Sequence, residues 1–318
     1  MTKLEEIQQD PNVALYLKKV KQVIARTLRK SVPEVEEYVT STFGKHIRST
    51  LFFLTVKALN SKTTVPPEIG AAFEILHTAT LMHDDVLDKT SIRRGKKSFQ
   101  ALYGTNFSVL AGDLLVCAAL KLIWEIKSWR FVKLYSELGQ NLVKGEVAGT
   151  HLSVSSNISK YYAQIYLKTA CFFETICKMS AAITKASKSD SETIINFGMM
   201  FGRSFQIHDD YTDYFVHTAI ADKQQGGDFY NKIITIPLIY AYRKSDFIEK
   251  QLISTAIQNP TVAGFKMVVK IMKKLNVNKM VLEDLRLISE QLQQLISSLK
   301  DTKYKNLLIE MTRLYISY

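Results

Sequence analysis

Two apolar stretches of this sequence each lead into the same spacing of aspartates. Residues 71–87 are mostly apolar and contain neither Gly nor Pro, and Asp84, Asp85 and Asp88 lie at their end. An apolar run of this length predicts a buried helix. On a helix Asp84 and Asp88 lie four residues apart and share one face. Carboxylates gathered there repel each other and lose hydration, so the pattern predicts a compensating positive charge.

The same D-D-x-x-D spacing recurs in the second half of the chain. Asp209, Asp210 and Asp213 follow another mostly apolar run, 194–205. A hard divalent cation with oxygen ligands compensates such a cluster, and Mg²⁺ that bridges carboxylates to phosphates is the usual form. The alternative for either cluster alone is a solvated acidic helix end. The repetition of the spacing favours two metal-binding clusters that grip one polyphosphate.

Glycine and proline are scarce in this chain, and their scarcity decides the predicted fold class. The 318 residues include 13 Gly and 6 Pro, while hydrophobic residues make up 47%. Few turn residues and ample core material favour long helices over strands and turns. We therefore expect an all-α protein with a single domain over residues 1–318, in which the N-terminal helices, about 1–40, are peripheral.

The net charge of +12 fits an anionic substrate, a membrane surface or nucleic acid. The basic residues are spread along the chain without a nucleic-acid-binding motif, so we expect no nucleic-acid partner. The three cysteines, Cys117, Cys171 and Cys177, lie in apolar contexts and are expected to be reduced core residues. No apolar run is expected to span a membrane and no signal peptide is expected, so we predict a cytoplasmic protein.

With these motifs the sequence resembles the trans-isoprenyl diphosphate synthases, and most of all the long-chain polyprenyl diphosphate synthases that make quinone side chains. The resemblance covers about 43–241. Its most specific blocks are Phe43–Arg48, Glu74–Gly95, Lys168–Thr169, Phe205–Asp213 and Lys223–Pro237. It implies an isoprenoid synthase helical bundle around a central active-site cavity, with about three Mg²⁺ ions held by the six aspartates.

The resemblance implies a prenyltransferase that condenses isopentenyl diphosphate with an allylic diphosphate, repeatedly, to give an all-trans polyprenyl diphosphate. It also implies a homodimer, and the apolar product favours loose, peripheral association with a membrane. Three alternatives stay open: a short-chain farnesyl or geranylgeranyl diphosphate synthase, a terpene cyclase, and a non-catalytic subunit of a heteromeric synthase. Cyclases normally lack the second D-D-x-x-D, and non-catalytic subunits tend to lose both.

The resemblance assigns the cationic and polar residues to two diphosphates. The predicted isopentenyl diphosphate site comprises Lys45, Arg48, His77 and Arg94. The predicted allylic diphosphate site comprises Arg93, Lys168, Lys223 and Lys232. Lys168, Thr169 and Gln206 are the predicted catalytic residues, with the oxygens of Thr169 and Gln206 directed at the carbocation. The alternative for Thr169 is a hydroxyl bonded back to its own helix.

This chain departs from the family pattern at three positions. Phe43 stands where the family has the first Gly of G-G-K-x-x-R-P, and Ser49 stands where it has Pro. Gly44 is expected to let the backbone turn sharply before Lys45. Ile233 occupies the place of a second family lysine, and Lys232 precedes it. These departures leave the shape of the first loop, and the reach of Lys232, open.

The length of the product is predicted from residues one or more turns before the first aspartate cluster. In the family a bulky residue five positions before that cluster stops growth early, and here this position is Ala79, with Thr80 beside it. A helical turn rises about 5.4 Å, close to one extended isoprene unit, so the residues further down set the limit. Leu76 can lean aside, whereas Phe73 either closes the tunnel or faces the core. We expect a product of roughly C30 to C50.

Overall fold

The computed structural model describes residues 2–29, 31–93, 95–216 and 225–314. It confirms the predicted all-α class. The helices are α1 Lys3–Gln8, α2 Pro11–Leu28, α3 Pro33–Ser41, α4 Ile47–Leu59, α5 Pro67–Leu87, α6 Phe99–Tyr103, α7 Thr105–Glu125, α8 Trp129–Gly149, α9 Ile158–Ile165, α10 Cys171–Thr184, α11 Lys188–Phe215, α12 Gly227–Tyr230, α13 Ile236–Lys244, α14 Phe247–Gln258, α15 Val262–Lys274, α16 Val277–Ser297 and α17 Lys303–Thr312. A short antiparallel ribbon pairs β1 (Ile92–Arg93) with β2 (Lys96–Lys97).

Local sequence signals account for where several helices begin. The Asp10 carboxylate accepts hydrogen bonds from the first free N–H groups of α2, and Pro11 occupies the first helical position, where a missing N–H costs nothing. Pro33 begins α3 in the same way. Asp246 and Glu249 form a reciprocal capping box at the start of α14. These helix starts are therefore decided within a few residues of sequence.

The sequence predicts one domain, and contacts within the chain group it into two compact units. Among the described residues, unit 1 comprises those within 2–137, 175–195 and 296–314, and unit 2 comprises those within 138–174 and 196–295. In unit 1, α5 packs against α2, α4 and α7. Side chains of α2 that are fully buried, such as Val13 and Val20, belong to this core. The N-terminal region, expected to be peripheral, thus contributes core packing to unit 1.

The core of unit 2 is a cluster of buried apolar residues from α9 and α11–α16. Its fully buried members include Phe229, Leu238, Met272 and Val281. Within this cluster the centroid of the Phe265 ring lies 5.5 Å from that of Phe229 and 5.9 Å from that of Tyr214. This packing holds the end of α11, which carries the second aspartate cluster.

Two expectations about apolar segments are wrong. Cys171 and Cys177 are buried as predicted, but Cys117 is exposed on α7. No membrane-spanning length was expected, yet among the described helices α7 is long and apolar enough to cross a membrane by length and composition. The core helix of a globular protein passes the same test, and α7 packs along α5.

The helical stretch around Lys168 and Thr169 is interrupted. Between α9 and α10 the backbone forms a π-helical turn, Tyr166–Ala170. Such turns often mark functional sites, because they offset the side chains that follow from the regular helical faces. Here the turn contains Lys168 and Thr169, two of the predicted catalytic residues.

Candidate active site

The first aspartate cluster closes α5 and contains two kinds of carboxylate. Asp84 and Asp88 are half-buried, and Asp88 forms the C-cap of the helix. Asp85 is only 1% exposed and receives hydrogen bonds from the Arg93 guanidinium, with Nε at 2.9 Å. Burial alone would lower the pKa of Arg93, but the hydrogen bonds and charge of Asp85 raise it, so the guanidinium stays charged beside this carboxyl group. Asp84 and Asp88 are therefore the carboxylates of this cluster that solvent reaches.

Lys45 lies in the loop before α4 and Arg48 in the first turn of that helix, and the sharp turn between them is made by a different residue from the one expected. The left-handed residue is His46, with φ 50°, and not Gly44. Lys45 is exposed, and its carbonyl accepts a hydrogen bond of 2.7 Å from Gln8 of α1. Arg48 is buried, 8% exposed. The loop therefore holds one cation in solvent and one against the protein interior.

A buried carboxylate from α5 caps the start of α4. His46 is the N-cap residue, and its side chain makes no capping hydrogen bond. Instead Glu74, 7% exposed, accepts the N–H of Ser49 at 2.9 Å and also the Ser49 hydroxyl. The His46 ring lies nearby, with Nδ1 3.9 Å from Glu74. The Pro of the family pattern at this position could make neither bond, so the Ser49 departure creates a direct tie between the two helices.

His77 lies one turn beyond Glu74 on α5, next to the Lys45–Arg48 loop. A small pocket in unit 1 is lined by Glu74 and His77 together with Phe43, Gly44 and His46. His77 is half-buried there. Of the four residues predicted to bind isopentenyl diphosphate, Lys45 thus lies in the loop, Arg48 in the first turn of α4, and His77 on α5. The fourth, Arg94, lies outside the described residues.

The second aspartate cluster also divides into exposed and buried carboxylates. Asp209 is half-buried, whereas Asp210 is 2% exposed. Asp210 accepts hydrogen bonds from Tyr161 (2.7 Å), the Gln206 amide (2.9 Å) and the Ile236 N–H (3.2 Å). Burial raises the pKa of Asp210 to about 7, with the charge of Asp228 adding to the effect. Asp210 therefore organises the interior of unit 2.

Asp213, 4% exposed, holds the segment that follows the cluster. Its two carboxylate oxygens accept the N–H groups of Gly227 and Asp228 at 3.1 and 3.0 Å, at the start of α12. Its backbone carbonyl also accepts the N–H of Gly226, which has φ 80°. Of the second cluster, Asp209 is the member whose carboxylate is not used for these internal bonds.

The π-helical turn places two predicted catalytic side chains in ordered contacts. Thr169 donates its hydroxyl hydrogen to the Gln206 side-chain oxygen at 2.6 Å, so the alternative of a bond back to its own helix is not what the structure shows. Lys168 lies 2.8 Å from Glu146, a residue to which the sequence analysis gave no role. A chain of polar contacts thus runs from Thr169 through Gln206 to Asp210.

Two glycines make room for this turn. A Cβ on Gly145 of α8 would lie 2.6 Å from the Lys168 Cα, and one on Gly202 of α11 would lie 2.6 Å from the Ala170 Cα. Real Cβ atoms do not approach backbone this closely, so any larger residue would push the turn away. The two glycines hold the backbone around Lys168 and Thr169 between α8 and α11. The available sequence signal was a Gly inside a helical segment, which usually has a packing reason.

The predicted lysines after the second cluster are only partly described. Lys223 lies outside the described residues. Lys232 is exposed and has φ 59°, a left-handed conformation that is uncommon for lysine. Ile233, which takes the family lysine position, is half-buried, and its N–H is bonded to the carbonyl of Asp228 at 2.8 Å. The role of Lys232 at a diphosphate stays a prediction.

The chain-length residues lie on the buried side of α5. Ala79 and Phe73 are fully buried, and Leu76 is 3% exposed. Phe73 packs edge-on against Phe52 of α4, with ring centroids 5.7 Å apart, so it faces the α4–α5 interior of unit 1. Thr80 is half-buried and bonds back to the carbonyl of His77. Of the two predicted roles for Phe73, its packing favours the core.

Within the part of the chain that the structure describes, no three His, Cys, Asp or Glu side chains come close enough to hold a metal ion by themselves. Asp85, Asp210 and Asp213 are engaged in hydrogen bonds with the protein. The carboxylates that solvent reaches are Asp84 and Asp88 in unit 1 and Asp209 in unit 2, and carboxylate oxygens are donors that fit Mg²⁺ when phosphate oxygens supply its other ligands.

Comparisons with known proteins identify the family of this chain. Residues 29–274 match the polyprenyl synthetase family. The octaprenyl diphosphate synthase of Escherichia coli (strain K12) is 31% identical over 223 residues, which cover 70% of this chain and 69% of that protein. The octaprenyl diphosphate synthase of Haemophilus influenzae is 29% identical over 263 residues, 80% of this chain and 78% of that protein.

Solved structures show the same fold. The polyprenyl synthase from Caulobacter crescentus CB15, in complex with calcium and isoprenyl diphosphate, superposes with a TM-score of 0.92, at 24% identity, over 99% of this chain and 98% of that one. The heptaprenyl diphosphate synthase from Staphylococcus aureus superposes with a TM-score of 0.88, at 24% identity, over 95% and 97%. With the sequence match over most of its length and this shared fold, the chain belongs to the polyprenyl synthetase family.

Proposed function

We propose that this chain is a polyprenyl diphosphate synthase, which condenses isopentenyl diphosphate with an allylic diphosphate repeatedly to a product of roughly C30 to C50. One observation carries the proposal. In unit 1, α5 bears the first aspartate cluster and His77, and the loop with Lys45 and Arg48 is tied to the same helix through Glu74. A second diphosphate site beside the first is what chain elongation needs and a cyclase does not.

The metal ions proposed for the site are Mg²⁺, held by Asp84, Asp88 and Asp209. When bound, they neutralise the allylic diphosphate and make it a better leaving group. Lys168 and Lys223 are proposed to bind the same diphosphate. Arg93 is proposed to bind it as well, while its contact with Asp85 holds the guanidinium in position. Lys168 lies against Glu146 in this structure, so its side chain has to exchange partners when a diphosphate binds.

The remaining site residues act on the carbocation and the second substrate. The Thr169 hydroxyl already donates to Gln206, which leaves the lone pairs of the hydroxyl oxygen available toward positive charge. The Gln206 amide is held by Asp210, so this dipole is oriented before the reaction begins. Lys45, Arg48, His77 and Arg94 are proposed to bind isopentenyl diphosphate, whose double bond attacks the allylic cation. The proton lost afterwards goes to the departing diphosphate.

The homodimer is proposed as well, and α7 supports it. Val109, Leu110, Leu120 and Trp124 lie within one side of this helix and are 39–65% exposed in the single chain. The Trp124 ring packs edge-on against Trp129, 76% exposed, with centroids 5.3 Å apart. Exposed apolar side chains gathered on one side of a helix are typical of an interface between protein chains.

Incubation of the purified chain with isopentenyl diphosphate, a short allylic diphosphate and Mg²⁺ tests the function. We expect consumption of both substrates and products that extend to roughly C30–C50 when their lengths are read out. A chain that cyclises the allylic substrate without using isopentenyl diphosphate is a cyclase. A chain with no activity alone, but with activity beside a second subunit, is the non-catalytic member of a heteromeric synthase. Main products of C15 or C20 identify a short-chain synthase.

A further inference from the structure

The start of α14 forms, with the ends of α13 and α15, a surface of unit 2 that combines exposed apolar and basic side chains. We call residues 243–252 and 270–274 the α14 surface. Its apolar members are Phe247, 77% exposed, Ile248, 69% exposed, and Leu252, 42% exposed. They are not needed for core packing, because α14 buries Ile253, Ala256 and Ile257 on its other side.

Charge on this surface is strongly one-sided. It contains six basic residues and two acidic ones, Asp246 and Glu249; the basic residues are Arg243, Lys244, Lys250, Lys270, Lys273 and Lys274. Both acidic groups are engaged: Asp246 accepts the Glu249 N–H at 2.8 Å, and Glu249 pairs with Lys274 at 2.7 Å. The second contact also places the end of α15 beside the start of α14. The basic residues other than Lys250, which is half-buried over the Tyr242 ring, are exposed.

The α14 surface lies apart from the aspartates of unit 2. The Ile236 N–H, at the start of α13, is bonded to Asp210, and α13 then runs nine residues to Lys244. At 1.5 Å per residue this separates the α14 surface from that hydrogen bond by about 12 Å along the helix. Contact at the α14 surface therefore does not compete with substrate binding at Asp209.

We infer that the α14 surface docks the protein onto a phospholipid bilayer that contains anionic lipids. Exposed Phe and Ile side chains enter the boundary between headgroups and acyl chains, and lysines and arginines around them contact anionic headgroups. Positive charge beside apolar side chains matches that partner better than a second copy of this basic chain, because two such surfaces repel each other. The inference rests on the proposed function for its biological sense, since a polyprenyl diphosphate has to enter a membrane.

Cosedimentation of the full-length chain with vesicles, without substrates, tests the inference. We expect binding to vesicles of phosphatidylcholine with phosphatidylglycerol, much weaker binding to phosphatidylcholine alone, and a decrease with added salt. The double variant F247S/I248S should bind the anionic vesicles about tenfold less tightly. R243Q/K244Q should reduce binding to the anionic vesicles by at least tenfold, since each basic residue near such a surface strengthens binding about fivefold.

Leu287→Ser is the matched control. Leu287 is also exposed, 43%, but lies among Glu283, Arg286 and Glu290 on α16, and its loss should leave vesicle binding unchanged. The inference is overturned if F247S/I248S binds as the wild type does, or if Leu287→Ser weakens binding equally. It is also overturned if F247S/I248S instead lowers the mass of the assembly in light scattering, because the surface would then join two copies of the chain. Prenyltransferase activity of F247S/I248S in detergent, measured in parallel, shows whether the proposed function fails independently.

Discussion

At the scale of single residues, the three aspartates of each cluster differ in burial and in their hydrogen-bond partners. Asp85, Asp210 and Asp213 are buried and bonded inside the protein, whereas Asp84, Asp88 and Asp209 remain within reach of solvent. Aspartates with the same spacing in the sequence therefore have different environments in the folded protein. Burial and neighbouring donors decide which carboxylate holds the structure and which is left for a ligand.

Asp84→Ala or Asp209→Ala should abolish turnover with little loss of stability. Each substitution removes a proposed metal ligand and also relieves repulsion between neighbouring carboxylates. Steady-state turnover at saturating Mg²⁺ and thermal unfolding are the measurements. Asp301→Ala, at an exposed aspartate near α17, is the control and should change neither quantity. Wild-type turnover in either active-site variant would show that the proposed metal ligands are wrong.

Ser49→Ala should weaken the use of isopentenyl diphosphate specifically. The substitution removes the hydroxyl bond to the buried Glu74 carboxylate, and a hydrogen bond to a charged group is worth about 1.5–3 kcal/mol. The Lys45–Arg48 loop would then be held less firmly, so the KM for isopentenyl diphosphate should rise roughly tenfold while the KM for the allylic substrate changes little.

Ser108→Ala is the matched control for that experiment. Ser108 is a fully buried serine of the same unit, but it bonds to the carbonyl of Gly104 and not to a carboxylate. It should lose a little stability without a change in either KM. Equal rises in both KM values for Ser49→Ala would mean that Ser49 supports the fold as a whole and not the loop.

At the scale of secondary-structure elements, the π-helical turn is held by its neighbours. Gly145→Ala should lower both turnover and thermal stability, because the new Cβ meets the backbone of Lys168, which has to move. Gly139 lies on the same helix with nothing within 4 Å of an added Cβ, so Gly139→Ala should stabilise the protein by about 0.5–1 kcal/mol at unchanged turnover. Thermal unfolding and single-turnover rates distinguish the two. A Gly145→Ala variant with wild-type rates would show that the turn tolerates displacement.

Helix α5 is expected to set the length of the product. Ala79→Phe should shorten the product to about C15–C20, because a large ring one turn before the metal ligands obstructs the growing tail. The first condensation should keep its rate, since no diphosphate ligand changes. Ala79 is fully buried, so overpacking should also cost about 1–3 kcal/mol of stability.

Product lengths are compared between the wild type, Ala79→Phe and an Ala101→Phe control, to test whether the growing chain passes Ala79. Ala101 is exposed on α6, and a Phe there should leave the products unchanged. Unchanged products from Ala79→Phe would mean that the tail does not pass this residue.

At the scale of the whole molecule, association of two chains is expected to cover the apolar side of α7. Leu110→Glu places a charge on a side chain that is 65% exposed in the single chain, and it should dissociate the dimer. Light scattering coupled to size-exclusion chromatography should then give the mass of one chain. Leu15→Glu, at a residue 54% exposed on α2, should leave the dimer intact. A wild-type protein with the mass of one chain would refute the dimer.

The sequence by itself determined the helical class, both aspartate motifs and most candidate ligands. These depend on local rules: few Gly and Pro, apolar spacing along a helix, and carboxylates four residues apart on one face. Helix starts at Pro11 and Pro33 are equally local.

Only the tertiary structure decided which aspartates are buried, how Glu74 caps α4 through Ser49, and where the backbone widens into a π-helical turn. It also exposed Cys117 and the apolar side of α7, and it packed Phe73 against Phe52. The reason is physical: burial, the partner of a carboxylate and the space beside a glycine depend on residues distant in the sequence, such as Gly145 against Lys168. No local pattern contains that information, because each of these contacts exists only once the helices have packed.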